Sequence, residues 1–346
     1  MCHDPCVFLD DRFEELVGAL GGFYRTWFIF VGLEVGLLRA VRDAGEAGLT
    51  PDELAERTGT DRGVVSEWAW GADAHELVQL EEGRIRMADD TAAILLDSDR
   101  PEYLGGQFVY AATAALDYGD LLEFVRTGRP VARRPDRYRV AIERLTVQDV
   151  AVFFQEGLAA LPQLAADLHA GGRVVDVHCG GGRWLIAMAR RFPELELVGI
   201  EFESDSVERA RKHVAEGGLS DRITIEQREM NAIGHEGEFD LAYYQYALHA
   251  LPDPAAALRS SWAALRPGGR IVSLDWYLPS DPEEFRSRHG ELIAGVQLDE
   301  LLKGTRLVSR DTALGWFAEA GIPAPLLIDL PSGASMIVGE RAEGGA

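Results

Sequence analysis

Cysteine is scarce in this chain. Cys2, Cys6 and Cys179 are the only three in 346 residues, too few for a disulfide framework and consistent with a reducing cytoplasm. Basic residues are also in short supply: 34 Lys and Arg stand against 57 Asp and Glu, for a formal net charge of -23. Phosphate binding depends on clustered Lys and Arg, so this balance argues against a nucleic-acid partner and suits a small neutral or cationic substrate. No apolar run reaches the roughly 20 residues of a membrane span, and the start lacks the basic-then-apolar order of a signal peptide. Cys2, His3, Asp4 and Cys6 lie close together, but no second ligand pair with zinc-site spacing follows. The expectation there is a frayed terminus and no metal. What remains is 47% hydrophobic and 26% charged, the composition of a soluble globular protein long enough for two domains.

The chain is organised around residues 173–202. A β-branched run at 174–177 has the character of a buried parallel strand, and Gly180, Gly181 and Gly182 end it. A helix follows with Leu185, Ile186, Met188 and Ala189 on its apolar side, and a second strand at 195–200 closes on Glu201. In such βαβ units ligands sit outside the carboxyl ends of the strands. A dinucleotide fold asks for G-x-G-x-x-G, whereas here Gly180 and Gly182 are followed by Leu185, which weakens a nicotinamide reading. Glycines without Cβ let the chain pass close to a ligand, and a carboxylate such as Glu201 can accept from both hydroxyls of a ribose.

Through Asp176, Cys179, Gly180, Gly182 and Glu201 the stretch resembles the class I S-adenosylmethionine (SAM) methyltransferases, whose first motif is an acidic residue, alternating glycines and a helix. His178 stands where that family usually has its first glycine. Either the turn is slightly reshaped or the imidazole points away into the fold. The resemblance implies SAM as cofactor, with Phe202 following the ribose carboxylate, Glu229 accepting from the adenine amino group, Met230 packing on the ring and Gln245 lining the methionine end. The family more often has aspartate where Glu229 stands.

Residues 11–44 give a helical pattern with Trp27, Phe28, Phe30, Val31, Leu33, Val35, Leu37 and Leu38 crowding nearly every face. A helix apolar all round is buried on all sides, and in so small a domain the second cover is expected to be another subunit. Thr50, Pro51, Asp52 and Glu53 then form a capping box with proline at the first helical position. A second helix at 61–75 and a hairpin of 77–80 and 84–87 complete the order of a winged helix. A DNA-reading helix needs basic and amide side chains facing the groove. This one carries Asp61, Glu67 and Asp73 against Arg62 alone, and Val64, Val65, Trp68 and Trp70 have the character of packing residues. Dimerisation is the expected role, which is also what the resemblance implies.

Between 90 and 163 the pattern is mostly helical, interrupted by Gly105-Gly106 and by the basic loop from Arg129 to Pro135. That loop is expected to be solvated, although its arginines could also meet an anionic surface. Phe153 and Phe154 are candidates either for a lid over the cofactor or for plain core packing. Strands at 223–226, 239–244 and 270–274, helices at 205–215 and 254–265, and a hairpin of 326–330 with 334–338 continue the alternation of a parallel sheet covered on both faces. The Pro267-Gly268-Gly269 turn and a reversed last strand match the family. The expected fold is α/β: a Rossmann-like class I methyltransferase sheet at 166–346, preceded by a winged-helix dimerisation domain at 1–110 and a helical linker at 111–165.

His249, in Leu248-His249-Ala250-Leu251-Pro252-Asp253 after the fourth of these strands, resembles the Leu-His-Asp-Trp histidine of natural-product O-methyltransferases. There it takes a proton from a substrate hydroxyl, a task that an imidazole pKa of about 6.5 suits. Ala250 and Leu251 replace the acidic and aromatic residues that follow it in the family, and a structural histidine at the pocket wall is the alternative. Tyr246, Asp275, Trp276, Tyr277 and His289 are expected to meet the substrate, an aromatic or natural-product metabolite. The expected function is SAM-dependent O-methylation of a small molecule by a cytoplasmic homodimer. N- or C-methylation on the same fold, SAM chemistry other than methylation, and a SAM-sensing winged-helix regulator without transferase activity are the alternatives.

Overall fold

A computed structural model describes residues 5–131 and 134–342. Cys2, His3 and Asp4 lie outside the described residues, as does the side chain of Cys6. The chain divides into two units, Met1–Gly119 with Pro135–Gln148 and Asp120–Arg134 with Asp149–Ala346. The stretch expected as a linker is therefore shared between them.

In the first unit the apolar helix is two helices, Pro5–Glu34 and Leu37–Ala44. They part at Gly36, whose φ of +84° suits glycine and allows the second helix to fold back. The end of the long helix is core: Ile29 is buried, Phe28 lies over Gly71 where a Cβ would come within 2.2 Å of its ring, and the Phe28 carbonyl accepts from Trp68 Nε1 at 3.2 Å. Its earlier turns are not, because Phe13, Leu16, Leu20, Phe23 and Tyr24 are each more than half exposed. Burial on all sides thus fails for that part of the helix within one chain. By length and composition Asp10–Glu34 is also apolar enough to cross a membrane, which corrects the expectation that no segment is. Glycines and Arg25 break the run of apolar letters there without breaking the helix.

The capping box forms, with Thr50 Oγ1 accepting from the Glu53 N–H at 3.2 Å and the Glu53 carboxylate accepting from the Thr50 N–H at 2.8 Å. It opens helix Pro51–Thr58; helix Arg62–Ala74 follows, then strands β1 (Gln79–Glu81) and β2 (Arg84–Arg86) as an antiparallel hairpin joined by Leu49 through a bridge to Ile85. On the second helix Val65 and Trp68 pack inward, whereas Val64 and Trp70 face out and are not packing residues. Gly105 and Gly106 do not interrupt a helix but begin one, Gly105–Ala115. A Cβ on Gly106 would lie 2.1 Å from the Arg144 carbonyl oxygen, so glycine is there to let Asp136–Leu145 approach.

The second unit is built on seven strands: β3 (Gly172–Val177), β4 (Leu195–Glu201), β5 (Ile223–Gln227), β6 (Phe239–Gln245), β7 (Leu265–Asp275), β8 (Leu326–Asp329) and β9 (Ser335–Glu340). Their order is β5-β4-β3-β6-β7-β9-β8, parallel throughout except for β9, which runs against both neighbours. Side chains alternate between two cores. Val174 and Tyr243 join Phe153, Trp184 and Leu185 in one, while Val175, Val177 and Tyr244 join Phe239 and Phe317 in the other. The winding reverses between β3 and β6, so their carboxyl ends flank the crevice where ligands bind in sheets of this kind. The Pro267-Gly268-Gly269 turn lies inside β7, not before it: Phe239 pairs with Leu265 and Leu241 with Arg270, leaving a bulge between. The helical lead-in to β3 passes from Val147–Val152 into a π-helical turn, Phe153–Gly157, and is broken before Pro162.

Candidate active site

The turn after β3 holds three residues in the left-handed region, His178 (φ +67°), Gly180 (φ +52°) and Gly182 (φ +72°). His178 therefore adopts a left-handed backbone that glycine takes freely, at a cost of about 1–2 kcal/mol, and its ring is stacked near-parallel to Phe202 with centroids 5.9 Å apart. No heavy atom lies within 4 Å of where a Cβ on Gly180 would stand, so the backbone there faces open space. Glu201, buried at the end of β4, fastens the turn: one carboxylate oxygen accepts from the Gly180 N–H at 3.0 Å, the other from the N–H groups of Phe202 and Glu203 at 2.9 and 3.1 Å. Asp176 is buried beneath it. Burial first, and the Glu201 charge second, push its carboxyl up to about 8, and burial likewise pushes the Cys179 thiol up.

The second focus lies at the ends of β6 and β7. His249 Nδ1 is 2.8 Å from Asp275 Oδ2, and Nε2 is 3.7 Å from Glu300 Oε2, with both side-chain environments almost sealed from solvent. Asp275 Oδ1 accepts from the Trp276 N–H at 2.9 Å, which orients the carboxylate. Burial pulls the imidazole pKa down, but the two carboxylates outweigh it and raise it to about 10. Glu300 is correspondingly lowered to about 2: burial opposes ionisation, and His249 and Lys303 more than offset it. The Nδ1 proton is thus assigned to the Asp275 bond, and Nε2 lies toward Glu300 at 3.7 Å, longer than an ordinary hydrogen bond.

Glu300 belongs to helix Arg288–Lys303, which is pinned from outside the sheet. Arg134 reaches Asp299 at 2.9 Å with both side chains buried, and the Val131 N–H donates to the Leu302 carbonyl at 2.8 Å. The described part of the basic loop is therefore docked at Arg134 instead of solvated there.

Between the two foci lie Gln245, which accepts from the Tyr243 hydroxyl at 3.3 Å, and Tyr246, a non-glycine residue at φ +50°. Tyr246 meets Trp276 edge-on at 5.9 Å, and Trp276 meets His289 at 6.2 Å. Tyr277 is apart from these, buried in the opposite core with Phe317. Met230 is buried in that core too, while Glu229 is exposed beside it and Phe202 is 42% exposed. Phe153 is wholly buried between Trp184 and Tyr243, and Phe154 packs on Phe192. Three residues of this region escape the sequence reading. Trp184 stacks on Tyr243 at 4.1 Å, Glu300 is far from His249 along the chain, and Asp149 is a buried carboxyl facing Tyr246 and Asp275. Asp149 did carry a signal, an acid inside the apolar helical run that leads to Phe153.

A seven-stranded sheet with one reversed strand, a glycine turn closed by a carboxylate and a helical amino-terminal part define the class I methyltransferase fold. Residues 168–321 match the family model described as a methyltransferase domain. Among curated relatives, the 27-O-demethylrifamycin SV methyltransferase of Amycolatopsis mediterranei is 30% identical over 166 residues, 46% of this chain and 59% of that one. The chain spans about half the length of the first curated relatives it matches, 52% and 59%. Solved structures match over nearly their whole length. The mitomycin 7-O-methyltransferase MmcR has a TM-score of 0.71 at 19% identity, covering 97% of this chain and all of that one. Human N-acetylserotonin methyltransferase, solved with SAM, has a TM-score of 0.72 at 16% identity, covering 96% and 98%.

Proposed function

We propose that the protein is a SAM-dependent methyltransferase acting on a hydroxyl group of a small aromatic or natural-product molecule. The observation that carries this reading is the pairing of two sites along one sheet edge: the Glu201-fastened turn at β3 and β4, and the His249–Asp275–Glu300 cluster at β6 and β7. SAM, when bound, supplies a methyl group already activated by its sulfonium. The residues fit such a ligand, because the Gly180 backbone faces open space and Glu201, with three backbone donors on its about four lone-pair sites, keeps one on the oxygen that meets Gly180 for a ribose hydroxyl. Asp176, Cys179 and Gly182 shape the turn, Phe202, Glu229 and Met230 flank the adenine side, and Gln245 borders the methionine end.

His249 Nε2 would take the proton of the acceptor hydroxyl, with Asp275 holding the ring and Glu300 stabilising the imidazolium. Tyr246, Trp276 and His289 would line the acceptor, and a dry, aligned approach supplies much of the remaining rate. Tyr277 would act only as support for β7. The Leu49 bridge, the two helices and the β1–β2 hairpin support a winged-helix reading of the first unit, and the exposed face around Leu20 and Phe23 supports a homodimer. The free, buried Cys179 supports residence in a reducing compartment such as the cytoplasm.

Calorimetry with SAM and S-adenosylhomocysteine tests the cofactor reading. Binding by the wild type and at least tenfold weaker binding by Glu201→Ala are expected, since about 1.4 kcal/mol per lost polar contact is a tenfold change. No heat with either ligand would overturn it. Mass spectrometry of a metabolite extract incubated with enzyme and SAM then reports the acceptor. Full turnover by His249→Ala would instead favour methylation of nitrogen or carbon.

A further inference from the structure

Helix Arg288–Lys303 brings Glu300 to His249 with its last turn, and that turn is gripped from two sides. On the sheet side, the Leu278 N–H, just past β7, donates to the Val308 carbonyl at 2.8 Å, and the Leu307 N–H donates to Gln297 Oε1 at 2.7 Å. On the other side stand Pro130, Val131 and Arg134. Arg134 Nη1 donates to Asp299 Oδ1 at 2.9 Å with both side chains buried, and the Val131 N–H donates to the Leu302 carbonyl at 2.8 Å. Gly304 caps the helix so close to Pro130 that a Cβ there would come within 3.2 Å of its ring. These three residues thus hold positions 299, 302 and 304, on both sides of Glu300. Within the turn, Glu300 is fixed by Lys303 Nζ at 2.7 Å and by the Thr305 hydroxyl.

We propose that Arg134 is a positioning residue for the base: by holding Asp299 it sets the last turn of helix Arg288–Lys303 so that Glu300 stands against His249. The inference rests on the methyltransferase reading above, in which His249 takes the proton. Asp299 and Glu300 are consecutive on a helix and point about 100° apart. A buried carboxylate deprived of a charged donor is driven toward water, and turning the helix end to let Asp299 out swings Glu300 off the imidazole. The charged groups acting on that imidazole are Asp275 from β7 and Glu300, with Lys303 acting on Glu300 and Asp149 facing Asp275. The effect has a sign that charge alone would not give. Deleting a cation by itself makes an imidazole easier to protonate, whereas moving an anion away makes it harder.

NMR of the full-length protein with ring-labelled histidine reads this directly, the His249 signal being assigned among the eight histidines by its loss in His249→Asn. Its titration midpoint is expected at about 10 in the wild type. Arg134→Met should lower it by about one pH unit, a tenfold weaker hold on the proton, and should lower it no further once Glu300→Gln is present. Asp299→Asn keeps the shape of the carboxylate, so it is the variant to read where Arg134→Met does not fold, and the same pattern is expected of it. A midpoint that stays or rises in the Arg134 or Asp299 variant, or that falls equally with and without Glu300, overturns the proposal. Equal midpoints in the wild type and Glu300→Gln overturn it too, since there is then nothing for Arg134 to position. Calorimetry keeps the two readings apart: a wild type that fails to bind S-adenosylhomocysteine strikes the methyltransferase reading, while the NMR comparison still decides whether Arg134 places Glu300.

Discussion

A histidine between two carboxylates is a strong base that rests protonated. With its pKa raised from an ordinary 6.5 to about 10, His249 must lose a proton before it can accept one, so kcat/KM is expected to rise with pH from 7 toward 9. Glu300→Gln removes one of the raising charges and should move that rise to lower pH, while His249→Ala should lower kcat by about 10²–10⁴-fold with S-adenosylhomocysteine affinity unchanged. A pH profile that Glu300→Gln leaves in place would show that the glutamate does not act through the imidazole. The same charge pairing enters stability. A histidine whose pKa is higher folded than unfolded stabilises the fold fully below pH 6.5 and loses that contribution as pH rises through about 10. The Tm difference between wild type and His249→Asn should therefore shrink across that window in thermal melts. His249 was legible in the sequence through its resemblance to the Leu-His-Asp-Trp histidine of natural-product O-methyltransferases. Its partner Glu300 was not, since nothing in the order of residues says that a helix 51 positions later returns to the same imidazole. Asp149 shows the same limit, its significance arising only when Tyr246 and Asp275 face it.

At the level of elements, local chemistry was the readable part. The capping box at Thr50 and Glu53, the glycine turn and the β-branched strands all depend on neighbours a few residues away, and they form where spacing places them. What depends on a distant partner was hidden. Gly105 and Gly106 look like a break until the Arg144 backbone is set against them, and the arginine-rich loop looks solvated until Arg134 meets Asp299. That ion pair has a testable weight. Removing one member of a buried pair strands the other charge and costs about 3–5 kcal/mol, whereas replacing both by apolar residues of similar size is often neutral. Arg134→Met should lower the urea midpoint strongly, and Arg134→Met with Asp299→Leu should recover most of the loss. Recovery in the double variant would tie the penalty to the charge pair itself; equal damage in both would assign it to packing of helix Arg288–Lys303.

For the molecule as a whole, the apolar face on the first helix and the formal charge of -23 pull in opposite directions. Phe13, Leu16, Leu20, Phe23 and Tyr24 present a contiguous helical stripe, more apolar surface than isolated exposed residues would leave. Burying it against a second copy removes that surface from water, but brings together two chains that each carry a large excess of negative charge. Apolar contact depends little on salt, and the repulsion is screened within about 10 Å at 0.1 M ionic strength against about 30 Å at 0.01 M. The proposed homodimer should therefore tighten as salt rises, opposite to an interface held by ion pairs. Analytical ultracentrifugation should report about twice the 37.9 kDa chain mass at moderate salt, with dissociation growing as salt is withdrawn. Leu20→Glu with Phe23→Glu places charge in the stripe and should give the 37.9 kDa monomer at every salt concentration. A wild-type protein that sediments as a monomer throughout would leave the stripe without a second copy to cover it.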